Sequence, residues 1–255
     1  MNVVITGANQ GIGYFMVEQL LKDGNRVAVF DLKTENLEAL KATYGERLLY
    51  FKADVRNQEE LSSAVACAAA RFTIIDAAIH NACRCTFEAE ANTEIDTYKD
   101  VFDVNYFGAL RLAKSVLPYM VKQNKGRIIF TSSAVGVMGF TRISPYASSK
   151  GAIESLAKCL NIEYAKNNIS FHIFHPPLTR TKSAEPLPVP EEFMALPEKV
   201  GSGLAKHINA KHFIICHSWG QRAQTLWCYL FPLKMGKLMS KMTDRYENMS
   251  EEKKK

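Results

Sequence analysis

Tyr146 and Lys150 are the residues of this sequence whose types and spacing best suit proton transfer. Four residues correspond to about one turn of a helix, so both side chains would project from one face. A free phenol has a pKa of about 10, and a neighbouring ammonium group favours the phenolate. Lowering that pKa by ~2–3 units needs roughly 3–4 kcal/mol, which a close, partly desolvated lysine can supply. The pair therefore predicts a general acid/base; taken alone, it also fits the exposed surface of an amphipathic helix.

Two other polar residues could act with this pair. Ser133 follows the apolar run 128–131 at the predicted carboxyl end of a strand, where ligands bind in open α/β sheets. Its hydroxyl could polarise a substrate oxygen, and the adjacent Ser132 is the competing candidate. Asn105 lies within the apolar helical segment 101–117, where asparagine disfavours regular helix and bonds a backbone group or a water. The alternative for Asn105 is an ordinary buried asparagine with satisfied hydrogen bonds.

The glycine-rich segment 6–13 follows the first predicted strand and begins the first predicted helix. Glycines allow a sharp turn and a close approach to a diphosphate, and the helix N-terminus offers free N–H groups. Asp31 ends the second predicted strand about 20 residues later, where a carboxylate can bind ribose hydroxyls and repel a 2′-phosphate. The glycine segment contains no lysine or arginine, which favours NAD(H) over NADP(H), although Lys33 is nearby. A simple glycine turn and a helix-capping aspartate are the alternatives.

These residues need a scaffold of alternating strands and helices. Such a pattern predicts an α/β protein, a doubly wound Rossmann parallel sheet of about seven strands with helices on both faces. Short apolar runs predict strands at 2–6, 26–31, 48–52, 74–80, 127–132, 170–175 and 212–216. Helical patterns cover 12–22, 34–44, 58–71, 97–123, 145–167 and 191–206.

The chain divides into one domain and a tail. We assign residues 1–217 to a single domain, including a proline-rich substrate loop at 182–200, and residues 218–250 to a C-terminal helical extension. Residues 251–255 are expected to be disordered because all five are charged. The apolar loop residues Leu187, Val189, Phe193, Met194 and Leu196 either cover an apolar substrate or pack on the core.

An apolar stripe marks the extension from about residue 233 to 249. Four basic residues flank it, and the helix could be a lid, a subunit contact, an interfacial helix giving weak peripheral membrane contact, or a helix docked on its own domain. The stripe consists of Met235, Leu238, Met239, Met242, Tyr246 and Met249, and the basic residues are Lys234, Lys237, Lys241 and Arg245.

Composition indicates an ordinary globular protein. The chain has 255 residues, 47% hydrophobic content and a net charge of +6. No aromatic-basic recognition pattern supports nucleic-acid binding, and the six cysteines show no zinc-site spacing, so no metal site is expected. The sequence begins directly with a strand, and its late apolar run 226–231 is much shorter than the ~20 residues of a membrane span. We expect reduced cysteines and a cytoplasmic location.

Together, these motifs resemble the short-chain dehydrogenase/reductase family from residue 1 to about residue 216. The pieces that carry the resemblance are the 6–13 segment, Asp54-Val55, Asn81-Ala82, Asn105, Ser133, the 146–150 motif and residues 176–181. The resemblance implies an oxidoreductase that interconverts a secondary alcohol and a ketone by hydride transfer, on an apolar substrate if the loop covers it. A non-catalytic NAD-binding sensor or scaffold on the same fold is the alternative.

The family pattern also assigns roles by position. Asn105, Ser133, Tyr146 and Lys150 form the implied catalytic set; Lys150 would also bind the nicotinamide ribose, and Asn105 would hold a water that links Lys150 to solvent. The implied cofactor-binding residues are Gly7, Asn9, Gly11, Ile12, Gly13, Asp31, Asp54, Val55, Asn81, Ala82, Tyr146, Lys150, Pro176, Leu178 and Thr181. A homo-tetramer or homo-dimer is implied, with the helices of Asn105 and Tyr146 paired across subunits.

Two positions and one strand depart from the family pattern. Cys83 and Pro177 stand where glycines are usual, and the strand around residues 76–79 carries small residues in place of larger apolar ones. The first two changes put cofactor affinity and loop motion in doubt, but neither removes a reacting group. His80 is expected to be a packed core histidine.

Overall fold

Seven short strands form one parallel sheet in the order β3-β2-β1-β4-β5-β6-β7. The computed structural model describes residues 1–185 and 187–252, with side chains described as far as residue 247. The strands are β1 (Asn2–Thr6), β2 (Arg26–Asp31), β3 (Leu48–Lys52), β4 (Ala77–His80), β5 (Gly126–Thr131), β6 (Ile169–Phe174) and β7 (Ile214–Ile215). Their order reverses between β1 and β4, the switch point at which open α/β sheets bind ligands.

Helices cover both faces of this sheet. The domain helices are α1 (Gly11–Lys22), α2 (Glu38–Tyr44), α3 (Gln58–Phe72), α4 (Ile95–Phe102), α5 (Gly108–Gln123), α6 (Val135–Met138), α7 (Ser144–Glu163) and α8 (Pro197–Lys206). One buried apolar layer joins the sheet to α3, α5 and α7, and another joins it to α1, α2 and α8. The predicted doubly wound Rossmann sheet is confirmed.

Several predicted boundaries were wrong for local reasons. The helix predicted at 97–123 is interrupted by a π-helical turn at Asp103–Phe107, which contains Asn105. The helix predicted at 191–206 begins only at Pro197, because a 3₁₀ turn at Glu191–Phe193 precedes it. Strand β7 has two residues where five were predicted, and β4 begins three residues later than predicted.

The extension forms two helices, α9 (Trp219–Leu230) and α10 (Pro232–Glu252). Helix α10 lies against the segment around α6, where the Thr141 N–H donates to Ser240 Oγ at 3.1 Å and Arg142 pairs with Glu247. The α6 segment approaches α10 so closely that a Cβ on Gly236 would lie 2.4 Å from the Gly139 carbonyl oxygen. Helix α10 is therefore seated on its own domain.

The apolar stripe of α10 faces this contact. Met235, Met239, Met242 and Tyr246 are half-buried, whereas Leu238 is exposed. The Met249 side chain lies outside the described residues, as do residues 253–255 of the predicted tail and Pro186 of the predicted loop. Residues 251 and 252, which were also predicted to be disordered, are the last residues of α10. No helix in the described part of the chain is long and apolar enough to cross a membrane.

Candidate active site

A cavity of about 730 Å³ lies at the carboxyl ends of the strands. Most of the residues predicted to form the site line it, including the acid/base pair Tyr146 and Lys150 and the serine Ser133. The predicted cofactor-binding residues among its walls are Gly7, Asn9, Gly11, Ile12, Asp31, Asp54, Val55, Asn81, Ala82, Pro176, Leu178 and Thr181. Gly13 and Asn105 do not line the cavity; they lie behind its wall, in contact with residues that form it.

The glycine loop is held by close backbone contacts. Gly7 has a φ of 67°, and a Cβ there would lie 2.3 Å from Ala82 Cα. A Cβ on Gly13 would lie 2.3 Å from the Gly7 carbonyl oxygen, so Gly13 allows α1 to pack against the loop. Asn81 ties the loop to the sheet, because its Nδ2 donates to the Gly7 carbonyl at 2.6 Å. No side chain caps the N-terminus of α1, which leaves its first N–H groups available to an anion at the cavity wall.

Asp31 is hydrogen-bonded to the backbone of this loop. Its Oδ2 accepts the Asn9 N–H at 2.9 Å and its Oδ1 accepts the Lys33 N–H at 3.1 Å. Each carboxylate oxygen keeps a free lone pair after these bonds. The backbone therefore orients a carboxylate that can accept two hydroxyl groups from a ligand in the cavity.

Asp54 is engaged by a neighbour that the sequence reasoning did not identify. Arg56 Nη2 lies 2.7 Å from Asp54 Oδ2, and Arg56 Nε contacts both carboxylate oxygens. The Arg56 hydrogen bond lowers the pKa of Asp54, so the carboxylate is ionised and paired. This pairing also neutralises the arginine, which itself lines the cavity.

Lys150 is almost fully buried beside Tyr146. Its Nζ donates to the Thr131 carbonyl at 2.7 Å and lies 5.5 Å from the centroid of the Tyr146 ring. One of three N–H donors is used in this bond, which leaves two for a ligand and for water. Burial lowers the pKa of Lys150, because the charged form loses its hydration.

The pKa of Tyr146 shifts in the direction opposite to the one predicted. Burial raises it well above the usual value, the thiols of Cys83 and Cys85 raise it further, and the hydrogen bond with Ser133 lowers it. In the protein alone, the cost of desolvating a phenolate therefore exceeds the stabilisation that Lys150 was expected to provide. Tyr146 is held as a protonated phenol, the form that donates a proton.

The two adjacent serines have different surroundings. Ser133 contacts Tyr146 through its side chain. Ser132 is buried, and its hydroxyl donates to Glu154 Oε1 at 2.8 Å. Because the Ser132 hydroxyl is already engaged, the geometry favours Ser133 as the group that meets a substrate oxygen.

Asn105 is fully buried in the π-helical turn. Its Oδ1 accepts the Arg84 N–H at 2.8 Å, and its Nδ2 donates to the Arg84 carbonyl and to Ser149 Oγ at 3.0 and 2.9 Å. Both amide hydrogens are thus used within the protein. The Asn105 side chain thus connects the loop after β4 to helix α7 by hydrogen bonds. Short π-helical turns are frequent at functional sites.

The loop held by Asn105 carries two thiols. Cys83 and Cys85 both line the cavity, so the departure from glycine at position 83 does add a side chain to the cavity wall. Burial raises the pKa of Cys85 to about 12, which keeps that thiol protonated. His80 is fully buried, with Nδ1 3.0 Å from Thr6 Oγ1, and burial lowers its pKa to about 3. These values support a neutral, packed histidine.

Behind the site lies a buried polar network that the sequence analysis missed. Glu154 Oε1 lies 2.7 Å from His175 Nε2, and Glu154 Oε2 accepts the Tyr229 hydroxyl at 2.5 Å. Burial alone would raise the pKa of Glu154, but the hydrogen bonds from His175, Tyr229 and Ser132 together lower it. The sequence offers one sign of this network, because Glu154 lies one helical turn after Lys150 and therefore on the same face of the helix. Through Ser132, His175 and Tyr229, the network connects the residue that follows β5, the residue before Pro176 and helix α9.

The remaining part of the cavity wall is largely apolar. Only some of the apolar residues of the predicted loop contribute to this wall. Leu187 and Val189 line the cavity, whereas Phe193 packs on Tyr246, with 5.6 Å between the ring centroids. Met239 of α10 completes the wall. Other apolar lining residues include Val104, Val135, Phe140, Ile143 and Pro177.

Comparison with known proteins agrees with this geometry. The sequence model of the short chain dehydrogenase family matches residues 1–191. The chain is 29% identical over 224 residues to 2-(R)-hydroxypropyl-CoM dehydrogenase of Xanthobacter autotrophicus, covering 83% of this chain and 89% of that protein. It is 30% identical over 181 residues to 2,5-dichloro-2,5-cyclohexadiene-1,4-diol dehydrogenase of Sphingobium indicum, covering 70% and 72%.

Structural similarity extends over the whole fold. A short-chain dehydrogenase from Streptomyces avermitilis superposes with a TM-score of 0.80 at 24% identity, covering 98% of this chain and 97% of that chain. At this identity the likeness shows the shared fold. The sequence matches and the fold together show that the chain belongs to the short-chain dehydrogenase family, and that it is an oxidoreductase of the kind that acts on alcohols and ketones.

Proposed function

We propose that the protein is an NAD(H)-dependent oxidoreductase that interconverts a secondary alcohol and a ketone, with Tyr146 as general acid/base. The observation that carries the proposal is the shared cavity. Tyr146, Ser133 and Lys150 line the same space as the glycine loop and Asp31. The loop suits a diphosphate, Asp31 suits ribose hydroxyls, and the three polar side chains suit a reacting oxygen.

Each side chain has a defined task in this proposal. Ser133 donates a hydrogen bond to the substrate oxygen, and Tyr146 gives its proton to that oxygen during ketone reduction or takes it during alcohol oxidation. The two free N–H donors of Lys150 would hold the nicotinamide ribose and a water. The cofactor, when bound, accepts or supplies the hydride, and the positive charge of its oxidised form favours the Tyr146 phenolate.

An apolar substrate suits the cavity wall best. Phe140, Ile143, Leu187, Val189 and Met239 provide apolar surface in the same cavity that Tyr146 lines. The test is a screen of NAD⁺ reduction with steroid, aliphatic and acyl-chain secondary alcohols, with short polar diols as the comparison. Turnover limited to the polar diols would contradict the apolar assignment. A non-catalytic sensor has no use for the Tyr146–Ser133 pair, so the enzyme is the preferred proposal.

Cofactor preference gives a direct prediction. We expect NADH to bind at least about tenfold more tightly than NADPH, since a fixed carboxylate facing a 2′-phosphate costs at least ~1.4 kcal/mol. Fluorescence titration with both cofactors measures the ratio. Asp31→Asn should bring the two affinities closer, and Glu35→Gln, at an exposed acidic position outside the cavity wall, serves as the control. NADPH binding as tight as NADH binding would reject the assignment.

A homo-oligomer is the second prediction, a tetramer or a dimer. Two apolar side chains on the helices that the family pairs across subunits are exposed, Phe107 before α5 and Ile162 in α7. Burying them between subunits would remove apolar surface from water. Sedimentation velocity at micromolar concentration should show a species larger than 28.6 kDa. A monomer across that range would contradict the proposal.

We also propose a cytoplasmic location. All six cysteines are free thiols, two of them in the cavity wall. A reducing compartment keeps such thiols unpaired.

A further inference from the structure

Helix α9 has its polar and apolar faces reversed relative to a normal surface helix. Four residues on one stripe, Trp219, Leu226, Trp227 and Leu230, are 83%, 58%, 56% and 59% exposed. A surface helix of a globular protein usually turns such a stripe towards the core. Scattered apolar residues need no explanation, but a contiguous stripe of this kind marks an interaction site.

Hydrogen bonds fix this orientation. The inward face of α9 carries Gln221, Thr225 and Tyr229; Gln221 and Thr225 are buried, and the Tyr229 hydroxyl bonds to Glu154. Thr225 Oγ1 also lies 3.7 Å from Cys216 Sγ of the domain, and within α9 it accepts Gln221 Nε2 at 3.4 Å. Rotating the helix to hide its apolar stripe would break the Tyr229–Glu154 bond and leave Glu154 Oε2 without its partner. The exposure is therefore part of the fold.

The apolar surface continues past the end of α9. Phe231 and Leu233 are also exposed, and the rings of Trp227 and Phe231 stack at 5.2 Å between centroids. We call this surface the α9–α10 patch, which consists of Trp219, Leu226, Trp227, Leu230, Phe231 and Leu233. Tryptophan and phenylalanine at such density are characteristic of side chains at a membrane–water interface.

The charged side chains within the segment that carries the patch are all positive. Arg222 lies over the Trp219 ring at 5.6 Å, and Lys234 Nζ lies over the Phe231 ring at 5.4 Å. Lys237 follows on the exposed side of α10. The whole sequence from residue 199 to residue 243 contains no aspartate or glutamate. A segment with exposed aromatic rings, cations and no acidic residue of its own is complementary to a negatively charged apolar layer.

We propose that the α9–α10 patch docks the protein on the surface of an anionic lipid bilayer. Its rings would enter the boundary between headgroups and acyl chains, and Arg222, Lys234 and Lys237 would meet lipid phosphates and carboxylates. A symmetric contact with a second copy is less suitable, because it would bring the same cations together with no acidic residue of this segment to pair with them. This inference rests on the patch alone and does not depend on the redox reaction.

The location of the patch has a consequence for the cavity. Helix α10 presents Met239 to the cavity wall, while the adjacent Leu238 is exposed. Docking would therefore place a helix of the cavity wall at the lipid surface. This arrangement suits the apolar substrate class proposed above.

The chain offers a built-in probe, because its two tryptophans, Trp219 and Trp227, both belong to the patch. We expect their emission to shift to the blue when the full-length protein meets phosphatidylcholine vesicles that contain about one part in three of phosphatidylserine. Flotation should show binding to the same vesicles, much weaker binding to phosphatidylcholine alone, and release by salt. No shift and no flotation with the anionic vesicles would overturn the proposal.

Variants separate the contribution of the aromatic rings to binding from that of the basic side chains. The double variant Trp219→Gln, Trp227→Gln should reduce flotation at least about tenfold. Arg222→Gln, Lys234→Gln and Lys237→Gln should each reduce it about fivefold on anionic vesicles only. Ile74→Gln and Lys122→Gln, at exposed positions outside the patch, are the controls and should change nothing. If the tryptophan pair instead holds an oligomer together, the double variant will lower the sedimenting mass while the wild-type protein ignores vesicles, and the proposal fails.

Discussion

Tyr146→Phe is expected to lower turnover by about 10²–10⁴-fold, the contribution of a positioned general acid/base. The substitution removes one oxygen, the atom that carries the proton, and keeps the ring that Lys150 faces at 5.5 Å. Cofactor affinity should therefore change little. Steady-state rates and a cofactor titration on the same preparation measure the two effects separately.

Tyr164→Phe is a suitable control, because Tyr164 belongs to the core cluster and does not line the cavity. It should keep both turnover and cofactor binding. A Tyr146→Phe enzyme with more than about a tenth of the wild-type rate would be incompatible with a general acid/base role of this size.

Lys150→Met should impair both turnover and cofactor binding. The methionine fills part of the buried space but removes the charge and the donors for the cofactor ribose. Losing one charge-assisted hydrogen bond, worth about 1.5–3 kcal/mol, weakens cofactor binding roughly 10–100-fold. The lost ammonium also disfavours the phenolate, so alcohol oxidation should need a higher pH to reach half its maximal rate.

The pH profile of alcohol oxidation distinguishes loss of the Lys150 charge from a general loss of structure in the variant. The Thr131 carbonyl loses its Lys150 partner in the variant, so some loss of stability is expected and thermal unfolding should be recorded alongside. Lys158→Met, at a position two turns further along α7, is the control and should leave the profile in place. An unchanged profile together with unchanged cofactor affinity in Lys150→Met would contradict both proposed roles.

The sequence predicted the fold because its signals were local. Short apolar runs separated by helical patterns determine a parallel sheet, and the segment 6–13 identifies the loop after β1 without any knowledge of distant contacts. Elements that depend on tertiary packing were missed. Asn105 indicated an irregular helix, but its π-helical turn also depends on bonds to Arg84 and Ser149, which are far away in sequence.

The electrostatics of the site were harder to predict than its residues. The spacing of Tyr146 and Lys150 suggested a lowered tyrosine pKa, but burial and the nearby thiols dominate and raise it. The spacing from Lys150 to Glu154 places Glu154 on the same helix face, but its partners His175 and Tyr229 are far away in sequence and come together only in the folded chain. The α10 stripe was recognised, yet the exposed apolar surface lies on α9, where inward hydrogen bonds override the usual preference.

Isotope transfer tests the central proposal most directly. The purified protein would be incubated with NAD⁺ and an apolar secondary alcohol, identified in the substrate screen, that carries deuterium on its carbinol carbon. The proposed mechanism predicts that deuterium appears in the NADH formed by the wild-type enzyme, and that Tyr146→Phe forms almost none while still binding the cofactor. Wild-type protein that binds NAD⁺ but transfers no deuterium from any alcohol in the screen, or a Tyr146→Phe variant that transfers it at the wild-type rate, would contradict the account.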